Sequence, residues 1–204
     1  MPARIALRRR GPGYTLGVMP GEDRPSVSGV LAVGLRDVAA EIAGAEPVAR
    51  ALGRLAPEHR ERYLGMHTMG WVPIELMEAA FGAIAGELGR DVAGFHTEVA
   101  RLSVARTMRT LWRVLLRFTG ERALISRTPV LYARSYNRGR LVADVPEPGR
   151  GEIDLLDWPD VPEWPLRAVS VGVATVLEIS GRPGAEVAWA RTPSGAHFRA
   201  TWPR

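Results

Sequence analysis

Two periodicities divide the chain. From Leu35 to Phe118 apolar residues recur at three and four positions, the spacing of an amphipathic helix. After Gly120 much of the pattern alternates at two. Val27 to Val33 (VSGVLAV) reads as a short strand, followed by helices over Leu35 to Ala43, Pro47 to Leu55 and Pro57 to Tyr63. Pro73 opens a stronger helix in which Met77, Ala80, Phe81, Ile84 and Leu88 form one stripe. Glu75 and Glu78 lie in its first turns, where the helix dipole favours anions, and Gly89 suits the position just past its end. Asp91 caps a long helix predicted to run to Phe118, with Phe95, Val99, Leu102, Met108, Leu111 and Leu115 on its apolar face.

The period-two segments are Val130 to Tyr136 and Arg140 to Val145, which pair around Asn137-Arg138-Gly139. Pro146 to Pro165 holds five prolines and most of the local acids, so a long irregular loop is expected. Pro165 to Ser180 reads as a helix apolar nearly all round, with Ala168, Gly172 and Ala174 small enough for close packing. Ala185 to Arg191 and Ala196 to Trp202 form a second hairpin. Clustered strands of this kind predict an α+β domain, a helical layer packed on a small antiparallel sheet made largely of two hairpins. Residues 1–26 carry four Gly and four Pro and read as an irregular arm, leaving 27–204 as one domain.

Composition narrows the chemistry. The chain has 204 residues and no Cys, so disulfides, thiolate metal sites and cysteine nucleophiles are excluded. Net charge is +5, and every basic residue is Arg. With no Lys, the phosphate-binding lysine of a P-loop is missing. Ten Arg between 101 and 140 face only Glu121, while seven acids between 141 and 164 face only Arg150. Neighbouring blocks of opposite sign can neutralise each other, so nucleic-acid binding is not expected. Arg8–Arg10 are followed by Gly11-Pro12-Gly13 rather than an apolar run, and no apolar stretch is long enough for a membrane span. A cytoplasmic protein is expected.

No catalytic constellation stands out. His59, His67, His96 and His197 lie at no metal-binding spacing from one another, and there is no GxSxG. No catalytic residue, metal or cofactor is expected. Arg106, Arg109, Arg113 and Arg117 share a helix face and form a candidate anion-binding stripe, because guanidinium forks suit phosphate. Its alternative is an exposed face paired with the acidic segment. Trp158 and Trp164 are candidate partner-docking residues if their loop is exposed, since Trp dominates binding hot spots. Otherwise they pin the loop to the core.

The ordered set VSGVLAVGLRD, ARALGRLAPEHRERYL, GWVPIELMEAAFGAIAGELGRDV, LWRVLLRFTGERALISRTPVLYARSYNRGRLVAD and AEVAWARTPSGAHFRATW resembles an uncharacterised family abundant in myxobacteria. That family looks related to the 4-vinyl-reductase-type ligand domain, the haem–nitric oxide-binding domain and the TRAPP subunits. The resemblance covers residues 27–202. It implies helices over a small sheet, with an apolar pocket between them used for sensing or for protein docking. Many 4-vinyl-reductase-type domains carry paired cysteines on the last hairpin. Here that neighbourhood reads Ala188-Trp189 and Ala196-His197, a departure that argues against a metal role there. Nor can a proximal His on a helix, with a polar set for the propionates, be matched to a haem.

The leading expectation is a non-enzymatic regulatory or scaffold domain that binds a partner protein, with a homodimer as one arrangement. The alternative is a sensor for a small apolar ligand. Its pocket would lie between helices 73–88, 91–118 and 165–180, lined by Met77, Phe81, Leu111 and Leu115. Anion binding by the Arg106–Arg117 stripe is the remaining alternative.

Overall fold

Ser28 turns a three-residue strand into a helix. Its hydroxyl accepts from the Leu31 N–H at 3.4 Å, which satisfies a donor left free by the first turn. Strand β1 is therefore Ser26–Ser28 and helix α1 is Gly29–Ala43. The strand expected over Val27 to Val33 stops at Ser28, and Val30 to Val33 are helical. Gly29 is needed because a Cβ there would stand 2.1 Å from the His67 carbonyl oxygen. The computed structural model describes residues 24–108 and 120–203.

Two short helices follow, α2 (Ala45–Gly53) and α3 (Pro57–Leu64). Strand β2 (Trp71–Pro73) pairs antiparallel with β1, an element with too few residues to show a period. Pro73 then caps α4 (Ile74–Glu87), whose Met77, Ala80, Phe81 and Ile84 are fully buried, as the stripe predicts. Asp91 accepts from the Gly94 N–H at 2.6 Å and starts α5 (Val92–Thr107). The remainder of the long helix expected to Phe118 lies outside the described residues from position 109 onward.

Helices α6 (Glu121–Ile125) and α7 (Thr128–Ser135) come next among the described residues. Helix α7 corrects the strand expected over Val130 to Tyr136. Pro129 sits in its first turn, where a missing N–H costs nothing, and the Ser135 hydroxyl bonds back to the Leu131 carbonyl. Only Tyr136 keeps a strand contact, an isolated bridge to Val27. Strand β3 (Arg140–Glu147) accordingly pairs with a different partner, β4 (Arg150–Leu156). The expected long loop is thus half strand. In β4, Gly151, Ile153 and Leu155 are buried while Glu152 and Asp154 point outward, so the acids hid a regular alternation.

Residues 157–162 do form an irregular link. Asp157 takes a left-handed backbone (φ 63°) and pairs with Arg140 at 2.7 Å. Trp158 donates its backbone N–H to the Ser194 carbonyl at 3.0 Å. The turn that receives it needs Gly195, where a Cβ would stand 2.3 Å from the Leu155 carbonyl oxygen. Helix α8 (Glu163–Ile179) starts two residues before Pro165. The hairpin β5 (Glu186–Thr192) and β6 (Gly195–Thr201) completes a four-stranded antiparallel sheet ordered β3-β4-β6-β5. Helix α8 crosses the inner face of β5 and β6 and packs on α5, which in turn packs on α1 and α4. The fold is α+β, and among the described residues no helix is long and apolar enough to cross a membrane.

Candidate functional site

Helices α5 and α8 border three neighbourhoods. On the α4 side the interface is solid. Phe81 meets Phe95 at 5.7 Å between ring centroids and Trp164 edge-on at 6.5 Å, and His96 stacks on Trp164 at 4.7 Å. Edge-to-face and offset contacts of this kind fill volume without leaving gaps. Burial, reinforced by the charge of Arg167, lowers the His96 pKa to about 4, so the ring is neutral near pH 7. Its Nε2 and the Trp164 Nε1 have no hydrogen-bond partner. The expected pocket lining therefore needs correction. Met77 and Phe81 are fully buried in the core, and neither is among the residues that line the apolar cavity beside α1.

The other side of the same two helices is hollow. A cavity of about 270 Å³ lies between α1, α5, α6, α7, α8 and the start of β3. Leu31 and Leu35 of α1, Val104 and Met108 at the end of α5, and Val169, Val173 and Val176 of α8 wall it with carbon. Leu124, Leu131 and Leu141 contribute from α6, α7 and β3. Ala168 and Gly172 fall on this face too. Their small side chains leave room here, where close helix packing was expected. A second hollow of about 490 Å³, between α5, α8 and β5, is crossed by the Arg101–Glu178 ion pair at 2.6 Å. Its charged rim makes it the poorer ligand chamber.

Tyr132 and Tyr136 also line the apolar cavity, and their rings stack at 4.8 Å with 22° between planes. Tyr132 donates its hydroxyl to the Arg138 carbonyl at 2.7 Å, which locks the pair against the turn before β3. The Thr107 and Ser135 hydroxyls are likewise spent, on the Ser103 and Leu131 carbonyls of their own helices. Burial raises the pKa of both tyrosines, so both stay protonated. The sequence pattern misses both residues because a strand over Val130 to Tyr136 would put them on a sheet.

The remaining candidate residues divide. Arg106 pairs with Glu41 across α5 and α1. Arg109, Arg113, Arg117, Leu111 and Leu115 lie outside the described residues. Trp158 and Trp164 are buried, 3% and 6% exposed, so neither presents a docking surface. They pin the 157–162 link to the core, because the link is short and its apolar side chains have only the core to cover them. The outward acids Glu152 and Asp154 flank His197, 2.7 Å from its Nε2 and 2.8 Å from its Nδ1. No cluster of three or more His, Asp or Glu among the described residues could hold a metal ion.

No family model matches the chain, and no curated protein matches it. Solved structures do. A mutant of the unliganded Fe(II) H-NOX protein from K. algicida superposes with a TM-score of 0.65 at 8% identity, over 87% of this chain and 97% of that one. An oxygen-binding H-NOX domain related to soluble guanylate cyclases, in its oxygen complex, gives 0.60 at 11%, over 87% and 95%. A mutant of the T. tengcongensis H-NOX gives 0.60 at 12%, over 87% and 98%. The chain has the H-NOX fold. The likeness bears out the haem–nitric oxide-binding part of the resemblance at the level of architecture.

The H-NOX neighbours raise the question of haem, and the cavity answers it with its donors. A haem iron takes a His, Cys, Met or Tyr ligand. All four His of the chain lie elsewhere and Cys is absent. Tyr132 and Tyr136 would have to ionise against burial, and Met108 is the one thioether on the wall. No Arg or His among the described lining residues could pair with propionates. The residues present do not fit a haem.

Proposed function

We propose that this domain is a non-enzymatic sensor that binds a small molecule in the cavity between α1, α5, α7 and α8. The observation that carries the reading is a cavity of about 270 Å³ walled almost wholly by carbon, in a fold shared with H-NOX domains. An apolar cavity of about 150 Å³ is enough to hold benzene, so this one has room for a larger guest. Burial of the guest's apolar surface supplies the affinity, at about 25 cal/mol per Å². The signal would travel through α5 and α8, whose opposite faces carry the rigid aromatic core.

The test is a thermal-unfolding titration of the full chain with naphthalene. Binding to the folded state raises the midpoint in a saturable way. A midpoint unmoved up to the solubility limit would count against the reading.

A second reading, docking of a protein partner, no longer rests on Trp158 and Trp164. It draws instead on Leu64, Met69 and Trp71, large apolar side chains exposed around β2. Paired substitution of Met69 and Trp71 by Ser, followed by sedimentation of the domain alone and with lysate proteins, tests that surface.

A further inference from the structure

Three hydroxyls at the cavity remain unspent among the described residues, that of half-buried Thr128 and those of buried Tyr136 and Ser103. Tyr136 is only 6% exposed, lines the cavity, and makes no hydrogen bond through its phenol oxygen among the described residues. Ser103, also 6% exposed and lining the cavity, makes none through its Oγ. The contrast with their neighbours is sharp, since Tyr132, Thr107 and Ser135 each satisfy a backbone carbonyl. Neither oxygen is among the fully buried unpartnered atoms, so each keeps surface that a water-sized probe reaches and that a guest's oxygen can pair with. The stacked Tyr132 ring fixes the plane of Tyr136. Burial keeps its phenol protonated, hence a donor, at neutral pH.

We infer that the cavity recognises a neutral, metal-free apolar molecule carrying one hydrogen-bonding oxygen, which the hydroxyls of Tyr136 and Ser103 engage. The inference rests on the sensor reading and names its ligand class. Neutrality follows from the wall, where no described lining residue is charged. An anionic guest would lose its hydration with no counter-charge among the described lining residues, a cost several times that of a neutral oxygen. The oxygen follows from the two free hydroxyls on buried residues, one on α5 and one just past α7, which approach the chamber from different elements. Freedom from metal follows from the absence of His and Cys among the described lining residues and from burial, which holds both tyrosines protonated. Gly172 supplies an independent handle on the same space, because a Cβ added there meets nothing within 4 Å.

The experiment titrates the full chain with 1-naphthol and with naphthalene, guests of one shape differing by one hydroxyl. Wild type should bind 1-naphthol about tenfold more tightly, the worth of one net hydrogen bond. Tyr136→Phe should cut that preference to less than threefold and leave naphthalene binding unchanged, and Ser103→Ala should lower it by a smaller factor. Gly172→Leu should abolish binding of both guests while raising the thermal midpoint, which separates a filled cavity from a misfolded protein. Equal affinity of wild type for the two guests, or a preference that survives Tyr136→Phe, overturns the oxygen. Stoichiometric haem uptake, seen as a sharpened and shifted Soret band, overturns the neutral, metal-free class. Failure of both guests to bind overturns the sensor reading itself.

Discussion

The two sides of the α5–α8 pair differ in how their side chains fill the space beside them. Toward α4 the helices present Phe95, His96 and Trp164, whose rings pack on one another and on Phe81. Toward α1 and α7 they present Val104, Val169, Gly172 and Val173, and these side chains do not reach across. A single helix pair can therefore serve as a rigid wall and as the lining of a binding chamber. The difference lies in side-chain volume rather than in hydrophobicity, since both faces are apolar.

Substitutions should feel that difference. Phe81→Ala should cost about 3–5 kcal/mol, read from denaturant unfolding, because a packed cluster cannot collapse around the loss. Val173→Ala, on the chamber wall, should cost under about 1.5 kcal/mol because the neighbouring space is already empty. Equal costs would erase the contrast between the two sides.

The solid side should also carry the pH dependence. His96 holds its proton more weakly in the fold, near pKa 4, than in the unfolded chain, near 6.5. Between those values the unfolded state binds the extra proton. Stability is thus fully present above about pH 6.5 and falls as the pH drops toward 4, by about 3 kcal/mol in all. His96→Phe should flatten that slope in urea midpoints taken across this window. A slope that survives the substitution would place its source elsewhere.

Added volume should have opposite signs on the two sides. Ala80→Leu, on the fully buried face of α4, should destabilise by about 1–3 kcal/mol through overpacking. Gly172→Leu should stabilise by about 1 kcal/mol, since it removes a helix glycine and enters open space. Thermal midpoints of the two variants should move apart. The smallest effect belongs to the rim. Arg106 and Glu41 are largely exposed, so Arg106→Ala should leave the thermal midpoint close to that of the wild type.

The solid side was legible in the amino-acid pattern and the hollow side was not. Met77, Ala80, Phe81 and Ile84 recur at helix spacing, and Asp91 and Gly89 mark the boundary that follows, so α4 and the start of α5 follow from local rules. The second hairpin is equally plain, its turn flagged by Pro193-Ser194-Gly195. Three features defeated local reading. Val130, Leu131 and Tyr132 favour strands, yet Pro129 and tertiary packing made α7 helical. Acidic residues disguised β4, whose pairing with β3 and β6 is non-local. The cavity itself is an absence of atoms among five helices and a strand. No spacing within one element reports it, and Gly172 reads the same whether it admits a neighbour or leaves a void.

Crystals of the protein pressurised with xenon test the central claim most directly, because xenon enters dry apolar cavities. The account predicts xenon density bounded by Leu35, Val104 and Val173, and none among Phe81, Phe95 and Trp164. An empty or water-filled chamber, or xenon on the α4 side, would contradict it.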